Sequence, residues 1–137
     1  MSLKIVSSRD DVETFLKELK EILVNSNFNV SRDLDILLKK RSEAPKDPYS
    51  TENTLLALDF DKNDVVQQLM ALELSQYLET FIDDKDISLP PFFAFAKSIQ
   101  SHEVCIKLKI RDIQKCKVFC VSFHFARYPF PARLPYE

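Results

Sequence analysis

The hydrophobic pattern of this chain changes period at Leu89-Pro90-Pro91, and that change restricts its fold more than any other feature. Upstream, apolar residues recur three and four positions apart, as on one face of a helix. Downstream they alternate with polar residues, as in a half-buried strand. The two prolines forbid a helix from continuing through the junction. A chain of 137 residues has room for one domain. The expected architecture is therefore α+β: N-terminal helices packed on a C-terminal antiparallel sheet of three strands or slightly more. The helical part is expected over about 8–82, the sheet over about 92–125, and an irregular tail over 126–137.

Ser8 suits an N-cap, with Asp10, Asp11 and Glu13 in the first turn, where the helix dipole favours negative charge. Val12, Phe15, Leu16, Leu19, Ile22 and Leu23 form one apolar stripe behind it. Phe28 and Val30 suit a short extended piece, and Leu34, Ile36, Leu37 and Leu38 give a less regular helical pattern over 31–41. Residues 44–50, with Pro45 and Pro48, read as a loop. A short helix is expected from Glu52, another capped by Asp61, and continued helical structure from Leu74 to Ile82.

Strands are expected at 92–99, 103–111 and 117–125, joined as a meander by short links. In the second, Val104, Ile106, Leu108 and Ile110 form the apolar face and Cys105, Lys107, Lys109 and Arg111 the polar one. In the third, Phe119, Val121, Phe123 and Phe125 are expected on the apolar side. Two registers compete in the first: Phe93/Phe95/Lys97 and Phe92/Ala94/Ala96. Tyr128, Phe130, Leu134 and Tyr136 are expected to pin the tail.

The chain contains no glycine, which removes every Gly-rich nucleotide loop from consideration. No cofactor is expected. Cys105, Cys116 and Cys120 make no C-x-x-C pair and lack metal-ligand spacing with His102 and His124, so no metal site is expected and the thiols suit a reducing compartment. No apolar run approaches the roughly 20 residues of a membrane span, and Met1-Ser2-Leu3-Lys4 lacks a signal-peptide core. A cytoplasmic location is the expectation. The net charge of -2 hides an asymmetry: residues 1–96 hold 11 basic and 18 acidic residues, whereas 97–137 hold 8 and 3. That balance hints at a basic working surface.

If the apolar faces of strands two and three meet, Lys107 pairs with Ser122, Cys105 with His124 and Lys109 with Cys120. Cations, a hydroxyl and an imidazole then share one patch. Such a patch suits phosphate chemistry without a metal, because cations stabilise the charge of a phosphoryl transition state and an imidazole exchanges protons near neutral pH. RNA brings its own nucleophile, the 2′-OH. Alternating lysines also make an ordinary solvated face. Asp83, Asp84 and Asp86 fall in a charged turn, His102-Glu103 lacks a second histidine, and no Ser-His-Asp order or nucleophile elbow occurs.

Leu58-Asp59-Phe60-Asp61 opening a helix, Leu72 and Tyr77 after it, and the pair Glu103-Val104-Cys105-Ile106-Lys107-Leu108-Lys109-Ile110 and Cys120-Val121-Ser122-Phe123-His124 carry a likeness. Over roughly residues 12–125 the chain resembles the motility quorum-sensing regulator (MqsR) toxins of type II toxin–antitoxin systems. The resemblance implies a RelE-like fold, mRNA endoribonuclease activity and a cognate antitoxin. Lys107 matches the family's strand lysine. The family's functional tyrosine falls at Cys105, one functional lysine at His124 and another near Glu79, so activity would rest on a different set of groups. The expected roles are proton transfer by His124, charge stabilisation by Lys107 and Lys97, orientation by Ser122, and RNA-backbone contacts from Lys109, Arg111 and Arg127. The alternative is a catalytically silent module on the same fold that binds RNA or protein.

Overall fold

The computed structural model describes residues 2–137; Met1 lies outside the described residues. In chain order the elements are β1 (Ser2–Ile5), α1 (Arg9–Val24), α2 (Val30–Asp33), β2 (Leu34–Ile36), α3 (Thr51–Leu58) and α4 (Lys62–Met70). A 3-10 turn (Leu74–Gln76), β3 (Tyr77–Asp83), β4 (Phe92–Ile99), β5 (His102–Asp112) and β6 (Lys117–Phe125) follow. The chain is α+β, and its sheet has six strands rather than three, ordered β1-β3-β4-β5-β6-β2. Every neighbouring pair is antiparallel except β2, which lies parallel to β6.

The helices begin where the sequence supplies caps. Ser8 Oγ accepts from the Asp11 amide at 3.1 Å, and all six residues of the α1 stripe are buried. Ser50 caps α3, and Asp61 with Asp64 closes a reciprocal capping box on α4. Two expected helical stretches are corrected. Over 31–41 only one turn is helical, and Leu34–Ile36 instead pairs with β6. Asp33, buried at that junction, is bound by Arg32, Lys117 and the Asn29 amide, and these bonds hold its carboxyl well below the usual carboxylate range. Phe28 and Val30 do not form a strand.

The second correction is at Leu74–Ile82, where the helical part ends at Met70 and β3 begins at Tyr77. Here a buried hydroxyl cluster outweighs helical periodicity. The Tyr77 hydroxyl receives the Ser7 amide at 2.9 Å and lies 2.6 Å from Thr80 Oγ1, which is itself 2.6 Å from Ser7 Oγ. Three buried polar groups thereby satisfy one another and fix β3 beside the β1–α1 connection.

Phe93, Phe95, Lys97 and Ile99 share a sheet face with Val104, Ile106 and Leu108, so the first of the two competing registers holds. Helices cover this face: Phe15 of α1 stacks on Phe93 with centroids 4.1 Å apart, and α4 lies over Lys97, whose Nζ donates to the Gln68 carbonyl at 3.3 Å. We call the opposite side the open face. Ala94 and Ala96 on that side are nevertheless buried.

β6 departs from simple alternation. Lys107 pairs with Ser122 and Cys105 with His124 as expected, but Leu108 pairs with Cys120, leaving Val121 as an extra residue in a β-bulge. Phe123 stays on the helix face, Val118 and Cys120 join it, and Phe119 turns outward opposite Lys109. The expected Lys109–Cys120 pair is thus corrected to Lys109–Phe119.

The β4–β5 turn, Gln100-Ser101, has φ of 50° and 66°, a conformation that usually recruits Asn-Gly. In the tail, Tyr136 stacks on Tyr77 at 5.9 Å and donates its hydroxyl to the Ser7 carbonyl, whereas Tyr128 is 80% exposed and pins nothing. Among the described residues no helix is long and apolar enough to cross a membrane.

Candidate nucleic-acid interface

The open face displays the side chains that strand alternation turns away from the helices. Across β1, β3, β4, β5 and β6 these include Lys4, Phe81, Phe92, Lys107, Lys109 and Phe119. Lys107 Nζ sits 3.5 Å from the Phe81 ring centroid, Lys109 Nζ 4.7 Å from that of Phe92, and the Arg111 guanidinium carbon 4.0 Å from that of Phe119. Phe92 and Phe119 meet edge to face at 5.8 Å. A cation over an aromatic face is held by the ring quadrupole. The result is a strip in which positive charge and flat apolar surface alternate. A cavity of about 300 Å³ opens on it between Phe81, Asp83, Leu89, Pro90, Phe92 and the two lysines.

Beside the strip lies a smaller cluster. Cys105 pairs with His124 and Lys107 with Ser122, so all four residues occupy adjacent positions on the open face. His124 Nδ1 lies 3.0 Å from the Phe125 carbonyl oxygen; because that oxygen can only accept, Nδ1 carries the hydrogen and a neutral ring presents Nε2 as a lone pair. Burial, then the charges of Lys40 and Arg127, lower the imidazole pKa and favour this neutral form. Burial, with Lys40 again contributing, also lowers that of Lys107. Burial pushes the Cys105 thiol up, so it remains protonated and is a poor nucleophile.

Lys40 is the member that sequence reasoning missed. Its Nζ donates to Ser122 Oγ at 3.0 Å, although the two residues are 82 positions apart. The segment that brings it there is fixed by Glu43, which is buried and accepts from the Lys40 amide at 2.8 Å. The sequence signal is the basic run Lys39-Lys40-Arg41, at the end of the stretch over 31–41 whose pattern predicts a helix. Phe81 and Phe119 were not expected on the open face; the β3 strand and the β6 bulge put them there, whereas Phe92 lies there because the first of the two competing registers holds.

Two expected site residues are placed away from the cluster, and a third is already paired. Lys97 is on the helix face, paired with Val104 and bonded to α4, so it is separated from His124 by the sheet itself. Arg127 lies past β6 and bonds Glu43 at 3.2 Å and Asp47 at 2.5 Å, with its guanidinium over Tyr49. It clamps the Lys40-bearing segment and is not a free RNA contact. Arg111 is on the open face but also pairs with Asp35 at 2.8 Å. Lys109 is on the open face as expected, over Phe92. Arg127→Ala is therefore expected to lower Tm by a few degrees in a thermal melt.

Among the described residues no three His, Cys, Asp or Glu side chains are grouped as metal ligands would be. No family model, curated protein or solved structure matches this chain.

Proposed function

We propose that the open face binds single-stranded RNA and that the cluster at its margin cleaves it without a metal, as an mRNA endoribonuclease of the MqsR type with a RelE-like fold. The observation that carries this reading is the strip of cations held over phenylalanine rings, ending beside an imidazole with a free Nε2. Single strands are bound through stacking of bases on aromatic faces and pairing of phosphates with cations, without need of a regular groove. A lysine lying over a ring can swing to a phosphate and leave the ring to a base. Lys107 and Lys109 supply the charge, flanked by Arg111 in its pair with Asp35, and Phe81, Phe92 and Phe119 the stacking surface. The protein would work in the cytoplasm against mRNA, held in check by a cognate antitoxin.

In the proposed reaction His124 Nε2 takes the proton of the 2′-OH as the 2′ oxygen bonds to phosphorus. The bond from phosphorus to the 5′ oxygen breaks, and the Lys107 ammonium protonates the departing oxygen. Lys40 and Lys107 stabilise the charge on the pentavalent phosphorus, and Ser122, anchored by Lys40, orients it. The products are a 2′,3′-cyclic phosphate and a 5′-OH. Incubating the purified chain with end-labelled RNA in EDTA tests this: cyclic-phosphate ends are expected, and cleavage abolished by the chelator would overturn the reading. Binding without cleavage at any pH would favour a silent RNA-binding module, a reading motivated by Cys105 standing where the family resemblance places a tyrosine.

The base must be neutral and the acid protonated, so kcat/KM is expected to be bell-shaped in pH. Activity rises as His124 deprotonates and falls as Lys107 does. Because both pKa values are lowered, the acid limb should lie below 6.5 and the alkaline limb below 10.5. Lys40→Met removes a positive neighbour of both groups and should move both limbs to higher pH.

A further inference from the structure

A cavity of about 590 Å³ lies away from the open face, between α1 and the far end of the sheet. Its floor is apolar: Phe15, Ile82, Phe93 and Ile110 meet there, with Pro90 and Pro91 at one side. The helical layer over the sheet is incomplete at this point. α1 covers Phe93 through Phe15, but among the described residues no helix covers the groove between its first two turns and the β5–β6 hairpin. Ile5 and Ile113, 41% and 53% exposed, continue the apolar surface to the two rims.

The lip of the groove is acidic. Asp11 and Glu18 lie seven residues apart on the same side of α1, roughly two helical turns or 10 Å along its axis. Asp112 adds a third carboxylate from the hairpin. Among the described residues that line the groove Arg111 is the one cation, and it is already paired with Asp35. An apolar floor with an uncompensated acidic rim repels anions, including nucleic acid, and selects an apolar ligand that is also cationic.

We propose that this groove docks a basic amphipathic helix of a partner protein, which completes the helical layer. Large apolar side chains on one face of the helix enter the groove over Phe93 and Ile110. Its Lys and Arg residues pair with Asp11, Glu18 and Asp112. The length from Asp11 to Glu18 fits about two turns, so anchors at i, i+3 or i+4, and i+7 would engage. This surface is on the opposite side of the sheet from the proposed RNA strip, so one chain could hold both ligands. The inference stands without the RNA reading.

A 14-residue synthetic peptide of Leu and Lys with leucines at i, i+3, i+4 and i+7, end-capped, is a suitable probe. Two controls accompany it: the same composition with the leucines scattered, and the same pattern with Glu for Lys. Titrated into the isotope-labelled full chain, the first peptide should shift the amides of residues 11–18 and 110–114, and the controls should not. The double variant Asp11→Asn/Glu18→Gln and the variant Ile113→Ser should each weaken binding about tenfold, since the former removes the charge and the latter part of the apolar rim. Equal binding of the scattered or acidic peptide, shifts confined to other surfaces, or an Ile113→Ser variant that binds undiminished would overturn the proposal. So would concentration-dependent self-association that shifts these same amides without peptide, because the groove would then take a second copy of this chain.

Discussion

Replacing His124 by alanine is expected to slow cleavage of single-stranded RNA by about a hundredfold to ten-thousandfold, the usual contribution of a positioned proton carrier. Binding should be almost unchanged, because the imidazole is neutral near pH 7 and contributes no phosphate charge. Lys109→Ala is the contrasting variant. It should weaken binding to every sequence and reduce the slope of log K against log salt by about one, as expected for one lost phosphate contact. Single-turnover cleavage separates the two: His124→Ala loses rate at saturating protein, whereas Lys109→Ala recovers it. A His124→Ala protein that cuts at the parental rate would remove the imidazole from the mechanism.

The second large effect concerns stability. Phe95 is fully buried between Phe15, at 6.2 Å, and Tyr77, at 5.9 Å, and pairs in register with Ile106. Phe95→Ala leaves a cavity in this cluster and is expected to cost about 3–5 kcal/mol, a large fraction of the roughly 5–15 kcal/mol available to a domain. Urea denaturation should show the midpoint falling with an unchanged slope. Three positions earlier, Phe92 points to the open face and is half-buried. Phe92→Ala should cost far less stability and should instead weaken RNA binding. Equal destabilisation by the two variants would contradict the assignment of the faces.

The elements most legible in the sequence were those whose side-chain period matches one buried face. α1 and β5 are of this kind, and β5 alternates so regularly that Lys107 and Lys109 could only point away from Ile106 and Leu108. In β4 both faces are buried from Phe93 to Ala96, so its register stayed open. Leu74–Ile82 was not legible because Tyr77 and Thr80 are placed by hydroxyl bonds to Ser7, 70 or more residues away. β2 was hidden for a similar reason: three residues carry no period, and only pairing with β6 makes Leu34–Ile36 a strand. At the candidate site, the Cys105–His124 and Lys107–Ser122 pairs followed from alternation. Lys97 was misplaced by its charge, since a lysine on the helix face can reach a helix carbonyl and bury its stem. Lys40 belongs to a visible basic run, but its contact with Ser122, 82 positions away, comes from a loop and leaves no local pattern that would point it there.

The extra residue in β6 has a consequence for comparing this chain with others. Ser122 pairs with Lys107 and Cys120 with Leu108, so Val121 could be removed and the ladder would close with every other side chain still facing as it does now. A shorter chain lacking that one residue would present the same cations, rings and imidazole. A single-position gap in the middle of a strand is ordinarily a sign of misalignment. Here it is the difference to anticipate between otherwise equivalent sheets, and an alignment that refuses it would assign Phe119 to the interior and Cys120 to the surface.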